Sequence, residues 1–278
     1  MNVKEQQRTT WDSISAGWLA AMPVFERGAA AVTAELVRLA GIGPGDRVLD
    51  AGTGLGEPAR TAAGVVGPAG RVVGVDLSAA MLDAARRRLG RLSNVELVVA
   101  DLEAVPLPSG SFDAALSRWG LMFAVDHAAA FGELRRLLRP GGTLAAATWA
   151  GPAEVPMIAA GYAALNERLR FPAPPPGTPG PWSMSDPAAL MEELDRAGFV
   201  DVSVAPFPVP FRVADPDEYA AFTRSVTPPA VLDMIRERYG AADHAETWAD
   251  VGAAVADHRD ADGLDLTSTA LCLRATAP

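Results

Sequence analysis

Five apolar runs, set apart by stretches of helical spacing, constrain this chain more than any other feature. They are "RVLDAG" from Arg47, "RVVGVD" (Arg71 to Asp76), "VELVVAD" (Val95 to Asp101), "FDAALSRW" (Phe112 to Trp119) and "TLAAATWA" ending at Ala150. Their apolar residues stand side by side rather than at alternate positions, as in strands buried on both faces. The intervening segments read as helices. One runs from Glu57 to Val66. A second is capped by Ser78, with Met81, Leu82, Ala85 and Leu89 inward and Arg86, Arg87 and Arg88 facing water. Asp126 caps a third, with Phe131, Leu134, Leu137 and Leu138 inward, which stops at "RPGG". Strand–helix alternation of this kind predicts an α/β fold, a parallel sheet with helices on both faces.

The flanks divide around this core. Ahead of it stand two helices, residues 1–40; in the second, Phe25, Ala29, Val32, Leu36 and Leu39 share one face, and Glu26, Arg27, Glu35 and Arg38 lie on the other. "GIGPGD" ends that region, and residues 41–150 form the core. The rhythm breaks over residues 151–183, which hold a helix and the proline-rich loop "FPAPPPGTPGPW". Residues 184–210 rejoin the core: Asp186 caps a helix, Pro187 takes its first position, Gly198 lies past its end, and the strand "VDVSVAPFPV" follows. A helical insertion, 211–265, precedes the last core strand, "STALCLRAT", within 266–278.

The chain has 278 residues, 49% hydrophobic and 21% charged, with a formal charge of −10. Nucleic acids and anionic membranes are bound mainly through Lys and Arg, so this balance argues against both as partners. The single cysteine, Cys272, sits in an apolar run and reads as a small buried hydrophobe. With one cysteine there is neither an internal disulfide nor a cysteine cluster for zinc, and no metal site is expected. The first residues are polar and no run is long enough to span a membrane, which predicts a cytoplasmic protein.

The first strand runs into "VLDAGTGLGEPAR", with glycines at 52, 54 and 56. In an open parallel sheet this edge is where ligands bind, and residues without Cβ let a ligand rest on backbone. A dinucleotide needs G-x-G-x-x-G; counting from Gly52 gives Gly54 and then Glu57, so the third glycine is missing. Counting from Gly54 gives Gly56 and Ala59, a relaxed match that starts late after the strand. Glu57 also puts a negative charge where a pyrophosphate would sit. A ligand with a cationic group suits the site better. Asp76 closes the second strand and can accept hydrogen bonds from both hydroxyls of a ribose. Asp101 closes the third and can accept from an adenine amino group, with Leu77, Met81 and Leu102 around the ring.

Taken together, "VLDAGTGLGEPA", "VVGVDLSAAML", "VVADLEAVPLPSGSFDAALSRWGLMF" and "LRRLLRPGGTLAAATW" resemble the successive motifs of class I S-adenosylmethionine-dependent methyltransferases. Most similar are the bacterial enzymes of the ubiquinone and menaquinone biosynthesis type (type 11 domain), which act on small molecules. The resemblance is strong over residues 40–150 and looser beyond. It implies a Rossmann-like, seven-stranded, mostly parallel sheet with an antiparallel last strand and a helical cap made by the N-terminus and the insertions. It implies S-adenosyl-L-methionine as cofactor: Asp50, Gly52, Thr53, Gly54 and Gly56 at its methionine portion, Asp76 on the ribose, Leu77 beside the adenine, Asp101 and Leu102 at the adenine edge, and Ser117, Arg118 and Trp119 at the methyl-donor end.

Methyl transfer from a sulfonium is an in-line displacement that demands alignment and exclusion of water, and a base only when the acceptor must lose a proton. His127, at a helix start after the fourth strand, is the one catalytic candidate, and a departure from the family pattern. His244 and His258 lie among acids in the second insertion and read as surface positions. A small-molecule acceptor would meet the aromatic-rich pieces around the core: Trp11, Trp18 and Phe25 before it, Trp119, Met122 and Phe123 at the fourth strand's end, and Trp149, Met157, Trp182, Tyr219 and Phe222 in or near the insertions. Two rivals stay open, an NAD(P)-dependent oxidoreductase and a cyclase or rearrangement enzyme with the same fold and cofactor. Neither the acceptor nor the oligomeric state is written in these motifs.

Overall fold

Long helices need an apolar stripe to dock, and the first 40 residues carry one. A computed structural model describes residues 2–172, 175 and 177–278. It makes Val3–Ala40 one continuous helix, α1, rather than the two expected. A reciprocal capping box between Asn2 and Glu5 starts it, and Gly41, at φ 63°, ends it. Pro23 lies inside the helix and removes a backbone donor, which costs about 3 kcal/mol. Burial on both sides of Pro23 outweighs that: Phe25, Ala29, Val32 and Leu36 enter the main core, while Ile14 and Met22 pack with Leu55 and Met81.

The five apolar runs become strands β1 (Arg47–Ala51), β2 (Arg71–Asp76), β3 (Val95–Val99), β4 (Phe112–Arg118) and β5 (Leu138–Trp149). Helices α2 (Ala59–Val66), α3 (Ala79–Leu89) and α4 (His127–Leu137) connect them. Ser78 and Asp126 cap α3 and α4 through their side chains. Three local expectations change. The helix expected from Glu57 begins at Ala59, after a turn. Leu138 opens β5 by pairing with Phe112, so the strand already includes the "RPGG" turn. Arg88 does not face water but reaches back to donate to the Leu55 carbonyl.

Beyond β5 come α5 (Pro156–Leu169), α6 (Pro187–Arg196), β6 (Val200–Val209), β7 (Arg212–Val213), α7 (Pro216–Val226), α8 (Pro229–Tyr239), α9 (Ala245–Ala253), β8 (Arg259–Asp260), β9 (Gly263–Asp265) and β10 (Ser268–Thr276). Positions 173, 174 and 176 of the proline-rich loop lie outside the described residues. The main sheet has seven strands in the order β3-β2-β1-β4-β5-β10-β6. Strands β1 to β5 pair in parallel, and β10 is antiparallel to both β5 and β6. This is the seven-stranded, mostly parallel, Rossmann-like sheet expected, with its last strand reversed. Cys272 is buried within β10. The second insertion also holds a small antiparallel sheet, β7-β9-β8, where only helices were expected. Strands of two or three residues are too short to show a period.

Strand order reverses between β1 and β4, which opens a crevice beyond their carboxyl ends. Helix α1 packs on β4, β5 and β10 and also meets α3 and α7, so it forms one wall of that crevice.

Candidate active site

At the end of β1 the chain must turn away while keeping its amides satisfied. Gly52 and Thr53 do this by donating their backbone N–H groups to the Val75 carbonyl of β2, at 2.8 and 2.9 Å. Gly52 has φ 74°, and a Cβ there would lie 2.8 Å from the Cα of Gly120. A Cβ on Gly120 would in turn lie 2.7 Å from the Ala51 carbonyl oxygen. The loops after β1 and β4 therefore touch backbone to backbone, which only glycine permits.

Two carboxylates brace this turn. Asp50 is fully buried, and its Oδ2 accepts from Thr53 Oγ1 at 2.6 Å and from the Ala59 N–H at 2.8 Å. Its Oδ1 has no partner. Burial pushes its carboxyl up to about 7, against the pull of those two hydrogen bonds. Asp76, at the end of β2, accepts from Gly54 N–H through Oδ2 and from Ser78 N–H through Oδ1, both at 2.8 Å. Desolvation pushes it up to about 6, again against its backbone donors. Asp76 is half-buried and lines the crevice, so its remaining lone pairs face the open space.

The cavity has a volume of about 240 Å³. Its lining includes a polar set, Gly52, Thr53, Gly54, Asp76 and Asp101, with Leu77, Met81 and Leu102. It also includes an aromatic set, Trp11, Trp18, Phe25, Trp119, Phe123 and Trp149. These rings hold one another in edge-on and stacked pairs: Trp11 on Phe123 at 4.8 Å and 85°, Trp18 on Phe25 at 5.3 Å and 84°, and Trp119 on Trp149 at 4.2 Å and 17°. Arg118, also in the lining, is held by Glu26 of α1 through a two-pronged ion pair, and it donates to the Ala29 carbonyl and Thr33 Oγ1 as well.

Most of the sequence-derived cofactor positions meet in this one cavity, but three do not line it. Asp50 and Gly56 lie beneath the loop, and Ser117 is buried with its hydroxyl donating to the Ala51 carbonyl at 2.7 Å. Among the acceptor candidates, Trp11, Trp18, Phe25, Trp119, Met122, Phe123 and Trp149 line the cavity and the other four stand back. Phe222 packs behind Trp18 and Phe25 at 6.4 and 6.2 Å. Met157 is buried beside Ser268, and Trp182 is half-buried, its neighbour Pro181 taking the lining position. Tyr219 is also buried behind the wall, its hydroxyl accepting from the Gly161 N–H at 2.8 Å.

The structure sets His127, the catalytic candidate, apart from the other site positions. It opens α4 outside the cavity lining, with Nδ1 3.5 Å from Glu193 Oε2 on α6. A helix start after the extra turn Leu121–Phe123 carries it past the crevice. His244 stacks on Tyr239, and His258 is exposed. Among the described residues no group of three or more His, Cys, Asp or Glu side chains is arranged to hold a metal, and no helix is long and apolar enough to cross a membrane.

Helix α1 supplies what sequence reasoning missed. Helical spacing puts Glu26 on the face away from the core, yet it lines the cavity. Gln7 and Met22 also line it. Lys4 bridges Asp101 and Glu103 at 2.5 Å each, and Asp12 accepts from Ser78 Oγ at 2.6 Å. The polar residues Lys4, Gln7, Asp12 and Glu26 on an otherwise docking helix are the available signal, legible once the helix is known to run unbroken.

Residues 49–146 match the family model described as a methyltransferase domain. The chain is 37% identical over 129 residues to a ubiquinone/menaquinone biosynthesis C-methyltransferase UbiE from Ectopseudomonas mendocina, covering 45% of this chain and 50% of that protein. It is 45% identical over 101 residues to an uncharacterized 37.1 kDa protein in a transposon of Streptomyces fradiae, covering 36% of this chain and 29% of that one. The chain thus spans half or less of the length of these relatives. Among solved structures it resembles the [4+2]-cyclase SpnF, with TM-score 0.60, 20% identity and coverage of 98% of this chain and 96% of that one. The fold is that of class I S-adenosylmethionine-dependent methyltransferases, and the chain is related to the UbiE-like proteins at moderate identity.

Proposed function

We propose that the chain is an S-adenosylmethionine-dependent methyltransferase acting on a small, apolar or aromatic acceptor. The observation that carries this reading is one cavity with two chemistries. Its wall combines the glycine loop, Asp76 and Asp101 with a set of indole and phenyl rings. The residues fit the cofactor. Asp76, half-buried with lone pairs free, would take the two ribose hydroxyls. Asp101 would take the adenine amino group, with Leu77 and Leu102 against the ring. Gly52 and Gly54 leave bare backbone for the methionine portion, where Glu57 supplies a carboxylate to its cationic groups. Bound there, S-adenosylmethionine supplies a methyl group activated by a sulfonium. The chain's own contribution is to align the acceptor and exclude water, to which the interlocked rings of the lining are suited. No histidine, lysine, tyrosine or cysteine lines the cavity among the described residues, so the acceptor's reactive atom must be nucleophilic without help from such a base.

Glu57 in the cavity wall counts against a nicotinamide dinucleotide, whose pyrophosphate would meet a carboxylate. Calorimetric titration with S-adenosylhomocysteine beside NADH separates these readings: binding of the first alone supports the proposal, and binding of NADH alone overturns it. The absence of a lining histidine, lysine, tyrosine or cysteine among the described residues also suits a cyclase or rearrangement enzyme that uses the bound sulfonium electrostatically. Acceptor-dependent formation of S-adenosylhomocysteine distinguishes transfer from that alternative.

A further inference from the structure

Helix α1 is held in two different ways along its length. From Phe25 onward it is fixed by apolar burial, with Phe25, Ala29, Val32 and Leu36 in the main core. At Gly17 it presses on α7, since a Cβ there would lie 1.8 Å from the Ser225 carbonyl oxygen. Ahead of Gly17 the anchoring is mainly polar. No residue from 2 to 13 is buried, and Ile14 joins only the small cluster of Met22, Leu55, Met81 and Ala84. Lys4 bridges Asp101 and Glu103. Two turns further on, Asp12 accepts from Ser78 Oγ at 2.6 Å and from the Ala80 N–H at 3.2 Å. The helix between these two anchors is about 12 Å long, and it spans the loops that follow β2 and β3. Gln7 and Trp11 lie on that stretch and line the cavity along with Asp76, Leu77, Asp101 and Leu102.

The carboxylates that Lys4 meets are themselves held in place. Glu103 Oε1 accepts from the Val125 and Asp126 N–H groups at 2.8 and 3.0 Å, which leaves Oε2 for the ammonium. Asp101 Oδ1 accepts from the Glu103 N–H at 3.0 Å, and Lys4 takes Oδ2. Without that ammonium the two neighbouring carboxylates would repel each other. We infer that Lys4 is a cofactor-positioning residue. It fixes the Asp101 carboxylate and latches the start of α1 onto the adenine subsite, so that residues 3–16 must come away for the cofactor to exchange. This rests on the reading of the cavity as the cofactor site. Each oxygen of Asp101 keeps a lone pair beyond those two donors, so the latch can stay shut with an adenine amino group bound. A segment with little apolar burial opens far more readily than a packed core. The Lys4 side chain is 40% exposed, so salt weakens the latch as well.

S-adenosylhomocysteine binding to the full chain, followed by stopped-flow tryptophan fluorescence, tests this, since Trp11 lies within the moving segment. Lys4→Met should speed association and dissociation alike, each by about fivefold, and change affinity far less than either rate. Lys4→Arg, which keeps the cation, should restore the wild-type rates. Added sodium chloride should speed both steps in the wild type and neither in Lys4→Met. The ligand has no net charge near neutral pH, so salt acts here on the protein. Faster dissociation with unchanged association would make Lys4 a simple contact and overturn the latch, as would Lys4→Arg behaving like Lys4→Met. Amide hydrogen exchange gives a second reading that needs no ligand. Residues 3–16 should exchange faster than residues 25–36, and faster still in Lys4→Met, with residues 25–36 unchanged. Exchange in residues 3–16 that is indifferent to the substitution overturns the proposal. Failure of S-adenosylhomocysteine to bind the wild-type protein is a separate outcome that removes the proposed function itself.

Discussion

The Arg118 guanidinium at the end of β4 grips the Glu26 carboxylate of α1, which ties the helix that walls the cavity to the strand that ends in it. The pair bridges 92 positions in sequence, with side chains 7% and 24% exposed. Arg118 makes two further contacts, to the Ala29 carbonyl and Thr33 Oγ1, so its donors are well satisfied without water.

Breaking that pair should therefore be costly. Glu26→Gln is expected to lower unfolding stability by about 3 kcal/mol, since it strands a buried guanidinium. The double variant with Arg118→Met should recover part of the loss. A urea-unfolding double-mutant cycle measures the coupling; additive losses would show that the two side chains act independently.

Asp76 governs the next expectation. Removing its carboxylate in Asp76→Ala should weaken S-adenosylhomocysteine binding by about 2 kcal/mol or more, the value of charge-assisted hydrogen bonds to two hydroxyls. Unchanged affinity would sink the ribose assignment. Because burial lifts Asp76 to about 6 and the ionised form is the better acceptor, binding should strengthen as pH rises through 6 and level off above 7. At pH 5 it should be about tenfold weaker than at the plateau, read by titration at several pH values.

Asp50 bears on stability instead. Its carboxyl rises from 3.8 to about 7 on folding, so the folded state holds the proton more tightly than the unfolded chain. The stability that follows is complete below pH 4 and is lost as pH climbs through 7. Asp50→Asn, which keeps an acceptor for Ala59, should gain stability over wild type on the order of 3 kcal/mol at pH 8 and little at pH 4. Chemical denaturation at the two pH values decides it, and a pH-independent difference would contradict the burial argument.

Gly52→Ala tests the contact between loops. Left-handed backbone and a Cβ 2.8 Å from Gly120 should together cost about 2 kcal/mol or more and prise the two loops apart. Thermal unfolding and S-adenosylhomocysteine titration should both suffer. An alanine variant that binds normally would mean the turn has room to relax.

What the sequence determined is the parallel core. Val48 to Ala51, Val72 to Val75 and Ala114 to Ser117 are buried on both faces, so they had to read as apolar runs, and the turn chemistry at Ser78, Asp126 and Asp186 fixed where three helices begin. The acids and glycines at the strand ends were legible for the same reason, because a sheet's carboxyl edge exposes a few fixed positions. Tertiary structure decided the rest. Pro23 marks a helix break by local rules, and only packing on the sheet carries α1 through it. Glu26 reads as a solvent-facing charge until Arg118, 92 positions away, turns it inward. His127 reads as a base beside the site until the turn before α4 takes it to Glu193. Local periodicity reports which side chains avoid water, but not which distant residue meets them. That depends on how separate elements cross, and here the crossing of α1 over β4 makes the cavity.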